Sequence, residues 1–118
     1  MQKRQNTRKI RINDEIQREV ANIIRGDLKD PRIGAITTVV AAETASDLSL
    51  SKIYVSIMAE KEEKEQSLEV LKGAAGYIRR ELAARINLRT TPEIKFILDE
   101  TLDQSMKIES ILNEIKKT

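Results

Sequence analysis

Hydrophobic residues in the first quarter of the chain recur in steps of three or four, which predicts an amphipathic helix. Thr7 and Asn13 are both residue types that cap helices, so we expect the helix to begin near one of them. The residue before a proline disfavours helical backbone, so Pro31 ends the helix no later than Lys29. The apolar face comprises Ile12, Ile16, Val20, Ile23 and Ile24.

Alternating apolar and polar residues predict three strands, at residues 36–43, 52–58 and 94–99. Residues 44–47 have turn chemistry, so the first two strands are expected to form an antiparallel hairpin. One face of the first strand is predicted to carry Ile36, Thr38, Val40 and Ala42, and the other face Thr37, Val39, Ala41 and Glu43. The second strand is predicted to turn Ile53, Val55 and Ile57 inward.

A helical pattern with two glycines lies between the second and third strands. We expect residues 60–65 to form a charged loop that leads into a helix from about Lys64 to about Ile86. A glycine inside a helix costs roughly 1 kcal/mol relative to alanine, so Gly73 and Gly76 indicate a kink or a close approach to the backbone. The apolar stripe continues as Leu68, Leu71, Ala75, Ile78, Leu82 and Ile86, and the opposite side carries Gly73, Gly76, Tyr77 and Arg80.

The predicted order is helix, strand, strand, helix, kink, helix, strand, followed by a C-terminal helix over residues 101–118. Three strands cannot bury both of their faces alone, so the helices are expected to cover one side in a two-layer α+β fold. The 118 residues suit a single domain. Within it we expect residues 1–6 to be flexible.

Composition excludes several kinds of chemistry. The chain has no cysteine and no histidine, so disulfides, Cys-based zinc sites and Ser-His or Cys-His catalysis are excluded. The glutamates within residues 60–65 are explained by a solvated loop better than by a cation site. We therefore expect no enzymatic activity, no cofactor and no metal. No apolar run reaches membrane-spanning length and no signal peptide is present, so we expect a cytoplasmic protein.

Basic residues are unevenly distributed, although the net charge is only +2. Residues 1–13 contain several bases and no acid, bases exceed acids over residues 72–95, and acids concentrate elsewhere. This separation suits a protein that binds a polyanion, and ordinary solvated faces are the alternative. The only rings are Tyr54, Tyr77 and Phe96. Contacts to a nucleic-acid backbone should therefore outweigh base stacking.

The segment Gly73-Ala74-Ala75-Gly76 matches the GXXG sequence at which KH domains clamp a nucleotide backbone, and the order of elements is that of a type II KH domain. The unbroken apolar stripe favours a kinked helix over an open loop. A helix thinned by glycine to pack closely on a neighbour is the alternative. The predicted RNA-binding residues are Lys72, Gly73, Ala74, Ala75, Gly76, Tyr77, Arg79, Arg80, Arg85 and Arg89, with Arg4, Arg8 and Arg11 from the N-terminal segment.

Short segments spread over nearly all of the chain carry a family resemblance. In order they are Ile16-Gln17-Arg18-Glu19, Lys29-Asp30-Pro31-Arg32-Ile33-Gly34, Asp47-Leu48-Ser49, Lys52-Ile53-Tyr54-Val55-Ser56, Ala74-Ala75-Gly76-Tyr77-Ile78-Arg79, Leu88-Arg89-Thr90-Thr91-Pro92-Glu93, Phe96, Asp99-Glu100-Thr101 and Met106-Lys107-Ile108. Each segment is unspecific, but the ordered set is specific. With it the chain resembles ribosome-binding factor A, a family of bacterial small-subunit assembly factors.

The resemblance implies a KH-like fold in which an Ala-x-Gly kink, here Ala74-Ala75-Gly76, replaces the GXXG loop. It implies binding to the immature 30S ribosomal subunit and 16S rRNA, and help in maturing the 5′ end of that rRNA. It also implies release assisted by a ribosome-assembly GTPase. We expect the protein to be a monomer.

Three functional classes compete on these observations. The first is a non-enzymatic assembly factor that binds rRNA, and the second is a general RNA-binding KH module or a ribosomal protein. The third is an enzyme such as a nuclease, which the missing histidine and cysteine disfavour. The near-balanced charge disfavours permanent burial in rRNA, because a factor that must leave its RNA benefits from modest affinity.

Overall fold

The computed structural model describes residues 2–28, 30, 33 and 37–100, with side chains from residue 7 onward. The predicted C-terminal helix at 101–118 and the predicted first residue of the first strand, Ile36, lie outside the described residues. Elsewhere the predicted order and the KH-like α+β fold are confirmed. The elements are α1 (Gln2–Gly26), β1 (Thr37–Thr44), β2 (Leu50–Ile57), α2 (Lys61–Gly73), α3 (Ala75–Arg85) and β3 (Glu93–Leu98).

Helix α1 begins earlier than predicted. It starts at Gln2 rather than near Thr7 or Asn13, because no glycine or proline interrupts these residues and Asn13 is engaged elsewhere. The Oδ1 atom of Asn13 accepts a hydrogen bond from the N–H of Thr44 at 2.9 Å. This side chain therefore ties the helix to the end of β1 instead of capping it. The expected end before Lys29 is confirmed.

The three strands form one mixed sheet in the order β1-β2-β3. β1 and β2 pair antiparallel, which confirms the predicted hairpin, and β3 pairs parallel to β2 after the chain has crossed over through α2 and α3. Parallel neighbours require such a crossover. Ile53, Val55 and Ile57 of the central strand are almost fully buried, as their alternation predicted.

A β-bulge in β1 changes which residues face the core. The pairing with β2 shifts between Val39 and Ala41, so Val40 is the additional residue, and 43% of it is exposed. The predicted face of Thr38, Val40 and Ala42 is therefore wrong, because the first two are exposed and only Ala42 is buried. The Nε2 atom of Gln17 donates hydrogen bonds to the carbonyls of Val39 and Val40 at 3.3 and 3.0 Å. Helix α1 thus contacts the bulge directly.

Helices α2 and α3 are separated by a single residue, Ala74. Its φ of −89° and ψ of −1° are close to helical, and its N–H donates to the carbonyls of both Val70 and Leu71. The joint is therefore a kink rather than an open loop, as the continuous apolar stripe predicted. The charged loop expected at residues 60–65 is wrong, because α2 already begins at Lys61, and Glu62 and Glu63 lie in its first turn, where the helix dipole favours acids.

The core lies between one face of the sheet and the three helices. Leu71, Ile78, Leu82 and Ile86 of the predicted stripe are buried, and Leu68 and Ala75 lie at the margin of the same cluster. Burial of this aliphatic surface is the main driving force for folding. The remaining core residues are Ile16, Val20, Ile23, Ile24, Ala42, Ile53, Val55, Ile57, Ile94 and Phe96.

Candidate nucleic-acid interface

The side of the kink that faces away from the core is exposed, as predicted. We call this patch the kink surface; its residues are Lys72, Gly73, Gly76, Tyr77 and Arg80, and each is exposed. Ala74 and Ala75 are half-buried beside it. Helical spacing places these residues together, because Gly73, Gly76, Tyr77 and Arg80 recur at i, i+3, i+4 and i+7 opposite the buried stripe, and Lys72 lies one turn before Gly76.

Asp27 at the end of α1 contacts two of the predicted RNA-binding residues. The hydroxyl of Tyr77 donates to its Oδ2 atom at 3.0 Å, and Nη2 of Arg85 donates to the same oxygen at 3.0 Å. The hydrogen bond to Asp27 raises the pKa of Tyr77, because loss of the tyrosine proton would place two negative charges together. Arg85 also lies 3.7 Å from Glu19 and 3.5 Å from Glu81. Its charge is thus surrounded by acids of the same chain.

Two further cations of the kink region have partners in the protein. Arg79 donates from Nε and Nη2 to the carbonyl of Thr91 at 3.2 and 3.1 Å, which attaches α3 to the loop before β3. Lys72 lies 3.8 Å from Glu69 across one helical turn. The side chain of Arg80, by contrast, makes no ion pair or hydrogen bond with another described residue. It is therefore the kink cation that is most available to a phosphate.

The groove beside the kink is lined by acids. A cavity of about 590 Å³ lies between the end of α1 and the joint, and Asp27, Asp30 and Glu69 line it with Gly73 and Ala74. Asp27 is paired with Arg85 and Glu69 with Lys72, so these carboxylates reduce the positive charge that the kink region offers to a polyanion. Arg80 is thus the cation of the kink surface that has no acid partner among the described residues.

A second group of predicted cations lies at the other end of α1. Arg8 and Lys9 of α1 and Arg89 of the loop before β3 line one cavity of about 380 Å³ against the β1–β2 turn. We call this the basic cleft. Arg8 also lines an adjoining cavity of about 620 Å³ together with Arg11. The structure thus brings Arg8, Arg11 and Arg89 together, although about 80 residues separate Arg89 from the other two. The side chain of Arg4 lies outside the described residues.

The turn that borders the basic cleft has a constrained backbone. The N–H of Leu48 donates to the carbonyl of Ala45 at 2.9 Å, and the N–H of Ala45 donates to the carbonyl of Leu50 at 2.9 Å. Leu48 has a φ of 63°, the left-handed region that glycine normally occupies, and it is the only non-glycine residue of the described part that does so. Its side chain is 8% exposed and is therefore anchored beneath the turn.

Lys9 and the turn residues Ala45, Ser46 and Leu48 were not among the predicted site residues. Lys9 belongs to the same N-terminal basic run as Arg8, so its charge was a usable signal. The turn carries no base, and only the fold places it against α1. Among the described residues, no cluster of three or more acids or other ligand residues could hold a metal ion, and no helix is long and apolar enough to cross a membrane.

Comparison with known proteins gives a consistent result. A family model described as Ribosome-binding factor A matches residues 8–112. A relative of that name from Clostridium perfringens is 50% identical over 113 residues, which cover 95% of this chain and 97% of the relative. A relative of the same name from Agathobacter rectalis is 48% identical over 108 residues, covering 92% and 89% of the two chains.

Solved structures of the same family are also similar to this chain. The crystal structure of ribosome-binding factor A from Thermus thermophilus is similar with a TM-score of 0.69 at 29% identity, over 76% of this chain and 94% of that one. A homology model of the Thermus thermophilus factor, fitted into a cryo-EM map of its complex with 30S, is similar with a TM-score of 0.62 at 29% identity, over 74% and 90%.

Proposed function

Because this chain belongs to the ribosome-binding factor A family, we propose that it binds the immature 30S ribosomal subunit and its 16S rRNA and assists late maturation. The observation that carries this proposal is the similarity to a factor fitted into a map of its 30S complex. The proposal includes processing of the 16S rRNA 5′ end, and release assisted by a ribosome-assembly GTPase. Because ribosomal subunits are its proposed partner, we propose that the protein is cytoplasmic. We also propose that it is a monomer.

The charges of the described residues support an rRNA partner. Two exposed arginines lie in or just after α3, Arg80 in the middle of α3 and Arg89 in the loop that follows the helix. Phosphate contacts carry most of the affinity of such proteins and make it depend on salt. Acids beside the kink moderate this affinity, which suits a factor that has to dissociate.

We propose that the protein acts without catalysis. The chain has no histidine or cysteine to serve as a general base or nucleophile, so maturation would proceed through binding that changes the conformation of rRNA. Purified protein incubated with magnesium and precursor rRNA should leave the RNA intact. Cleavage that disappears in a single carboxylate variant would overturn this part of the proposal.

Cofractionation tests the main proposal. The tagged full-length chain, expressed in place of its own gene, should sediment with small subunits that contain precursor 16S rRNA and should be missing from mature subunits. Depletion should increase 16S rRNA with an unprocessed 5′ end, which primer extension measures. A matched depletion of an unrelated RNA-binding protein controls for general effects on growth.

Two outcomes would contradict the proposal. Equal occupancy of mature and immature subunits would instead indicate a ribosomal protein, and binding to many cellular RNAs without enrichment on subunits would indicate a general RNA-binding KH module. Normal 5′ ends after depletion, with cofractionation retained, would remove only the processing step.

A further inference from the structure

The basic cleft collects cations from two distant parts of the chain. Arg8 and Lys9 come from α1, whereas Arg89 comes from the loop between α3 and β3, and all three line the same cavity of about 380 Å³. Ile12 and Leu48 supply apolar lining to this cavity. Its volume falls within the roughly 300–1,000 Å³ of clefts that hold small ligands.

The cations of the cleft are not neutralised by the described part of the protein. No ion pair or hydrogen bond joins the side chains of Arg8, Lys9 or Arg89 to another described residue. The nearby acids are Glu15, which lines the adjoining cavity, and Asp47 of the turn. Oδ1 of Asp47 already accepts hydrogen bonds from the N–H and the hydroxyl of Ser49 at 3.0 and 2.7 Å. The cleft therefore retains positive charge.

The N-terminal part of α1 carries bases and no acid up to Asn13. The N-terminal end of a helix has partial positive charge, which is ordinarily balanced by acids in the first turn. The first turn of α1 contains no acid, and the following turns carry Arg8, Lys9 and Arg11. Repulsion among these bases is unfavourable in the isolated protein, and an anion bound between them relieves it.

The β1–β2 turn also lines the cleft, and its backbone is constrained. Leu48 keeps a positive φ of 63°, while its side chain is buried beneath the turn. Non-glycine residues in such conformations cost on the order of 1–3 kcal/mol and concentrate at functional sites. A fixed wall lets a ligand bind without the cost of ordering a loop.

We propose that the basic cleft binds the phosphodiester backbone of a single RNA strand without regard to base sequence. Cations select the phosphates, and no aromatic ring lines the cavity, so base stacking contributes nothing to recognition. This inference rests on the proposed function only in naming rRNA as the natural strand. It places the main phosphate contacts at the cleft rather than at the kink surface, where the chain supplies its own acids.

A pair of matched double variants of the full chain tests this. The cleft variant, Arg8→Gln with Arg89→Gln, removes two cations from the cleft. The control variant, Arg18→Gln with Lys95→Gln, removes two exposed cations that line none of the cavities described above. In each variant one cation comes from α1 and the other from β3 or the loop before it. Both variants have the same net charge. Fluorescence anisotropy with short oligouridine and oligoadenosine probes gives the dissociation constant at several salt concentrations, and thermal unfolding verifies the fold.

The cleft variant should lose two phosphate contacts. The slope of log affinity against log salt then becomes shallower by about 1.4, since each contact to a single strand contributes roughly 0.7. The ratio of parent affinity to variant affinity should therefore be about 25-fold larger at about 0.1 M salt than at about 1 M. The loss should be equal for the two oligonucleotides. The control variant should keep the slope of the parent.

Four results are informative. Equal slopes for the cleft and control variants would overturn the inference, as would a loss confined to one base sequence. Weaker binding of the cleft variant to immature subunits, with unchanged binding to oligonucleotides, would assign the cleft to a ribosomal protein and also overturn it. A parent that binds oligonucleotides through the cleft but does not bind immature subunits supports the cleft and refutes only the proposed function.

Discussion

The kink and the β1–β2 turn use backbone conformation in opposite ways. The kink contains Gly73 and Gly76, yet neither has a positive φ, and a methyl group added at either would meet no atom within 4 Å beyond the adjacent residues and the backbone of its own helix. The turn contains the left-handed conformation that favours glycine, and a leucine occupies it. The position of a glycine in the sequence was therefore a poor guide to where the backbone is constrained.

The two regions also differ in how their cations are used. Near the kink, Arg79 and Arg85 are engaged by groups of the protein itself, and acids line the adjacent groove. In the basic cleft, Arg8 and Arg89 have no such partners among the described residues. The same residue type thus stabilises the fold in one region and is available for a ligand in the other, and only three-dimensional neighbours distinguish the two roles.

The largest expected effect concerns Leu48, whose side chain and backbone act in opposite directions. Leu48→Ala should lower the free energy of unfolding by about 2–3 kcal/mol, because it removes a buried side chain and keeps the strained φ. Leu48→Gly loses the same side chain but adopts a positive φ without strain. It should therefore be more stable than the alanine variant by roughly 0.5–1 kcal/mol, measured by urea unfolding.

The order of these two Leu48 variants is the decisive result. In a helix alanine is more stable than glycine by roughly 1 kcal/mol, so Gly76→Ala serves as the control with the opposite sign. An alanine variant at position 48 as stable as the glycine variant would show that the turn is unstrained in solution, and the contrast with the kink would disappear.

The next largest effect separates two adjacent arginines of α3. Arg79→Ala should cost about 1–1.5 kcal/mol of stability, because both hydrogen bonds to the carbonyl of Thr91 are lost. Arg80→Ala should leave stability unchanged within about 0.5 kcal/mol, since this exposed side chain has no described partner. Arg80→Ala should nevertheless weaken RNA binding, so its effect on binding should be large compared with its effect on stability. Equal effects of the two variants on thermal unfolding would refute the structural role of Arg79.

A smaller effect is expected at the glycine of the kink. Gly76→Ala should raise the free energy of unfolding by roughly 0.5–1 kcal/mol, because the position is helical, exposed and open. If phosphate approaches the kink backbone, binding to immature subunits should fall in the same variant. Retained binding in a stabilised protein would remove Gly76 from the interface and leave the cleft as the principal site.

The smallest effect is a pH dependence in the turn. Hydrogen bonds from the hydroxyl and the N–H of Ser49 hold the pKa of Asp47 below its ordinary value of 3.8. The Asp47 carboxyl therefore binds a proton less readily in the folded state than in the unfolded state. Its contribution to the stability of the fold is present above pH 3.8 and is lost as pH falls through the lower folded pKa. The advantage of the parent over Asp47→Asn in melting temperature should shrink in acid. A constant difference between about pH 6 and about pH 2 would contradict it.

Local patterns predicted most of the elements of this fold. The apolar stripe through Leu71, Ile78 and Leu82 identified the buried side of α2 and α3, and its unchanged phase identified the joint as a kink. Alternation in β2 identified its buried face. These features succeed because helical and strand periodicities are properties of neighbouring residues.

Features that depend on distant residues escaped prediction. The bulge at Val40 carries no glycine, and it lies where Gln17 of α1 donates to its carbonyl. Asp27 accepts a hydrogen bond from Tyr77 and pairs with Arg85, and at least 50 positions of sequence separate it from either residue. The candidate site was predicted as the residues of the kink together with nearby cations, and the structure divides the described cations into those engaged by the protein and those available to a ligand.

The early start of α1 has a consequence for how the protein responds to its ligand. The first turns of this helix place bases at the positive end of the dipole, so the helix–coil equilibrium of these turns lies closer to the coil than that of the buried turns around Ile16 and Val20. Bound phosphates reverse the sign of that interaction and shift the equilibrium toward the helix. On the proposed role of the cleft, the hydrogen-exchange rate of the amides in the first turns of α1 should therefore fall as RNA is added, and it would report how much of the protein is bound.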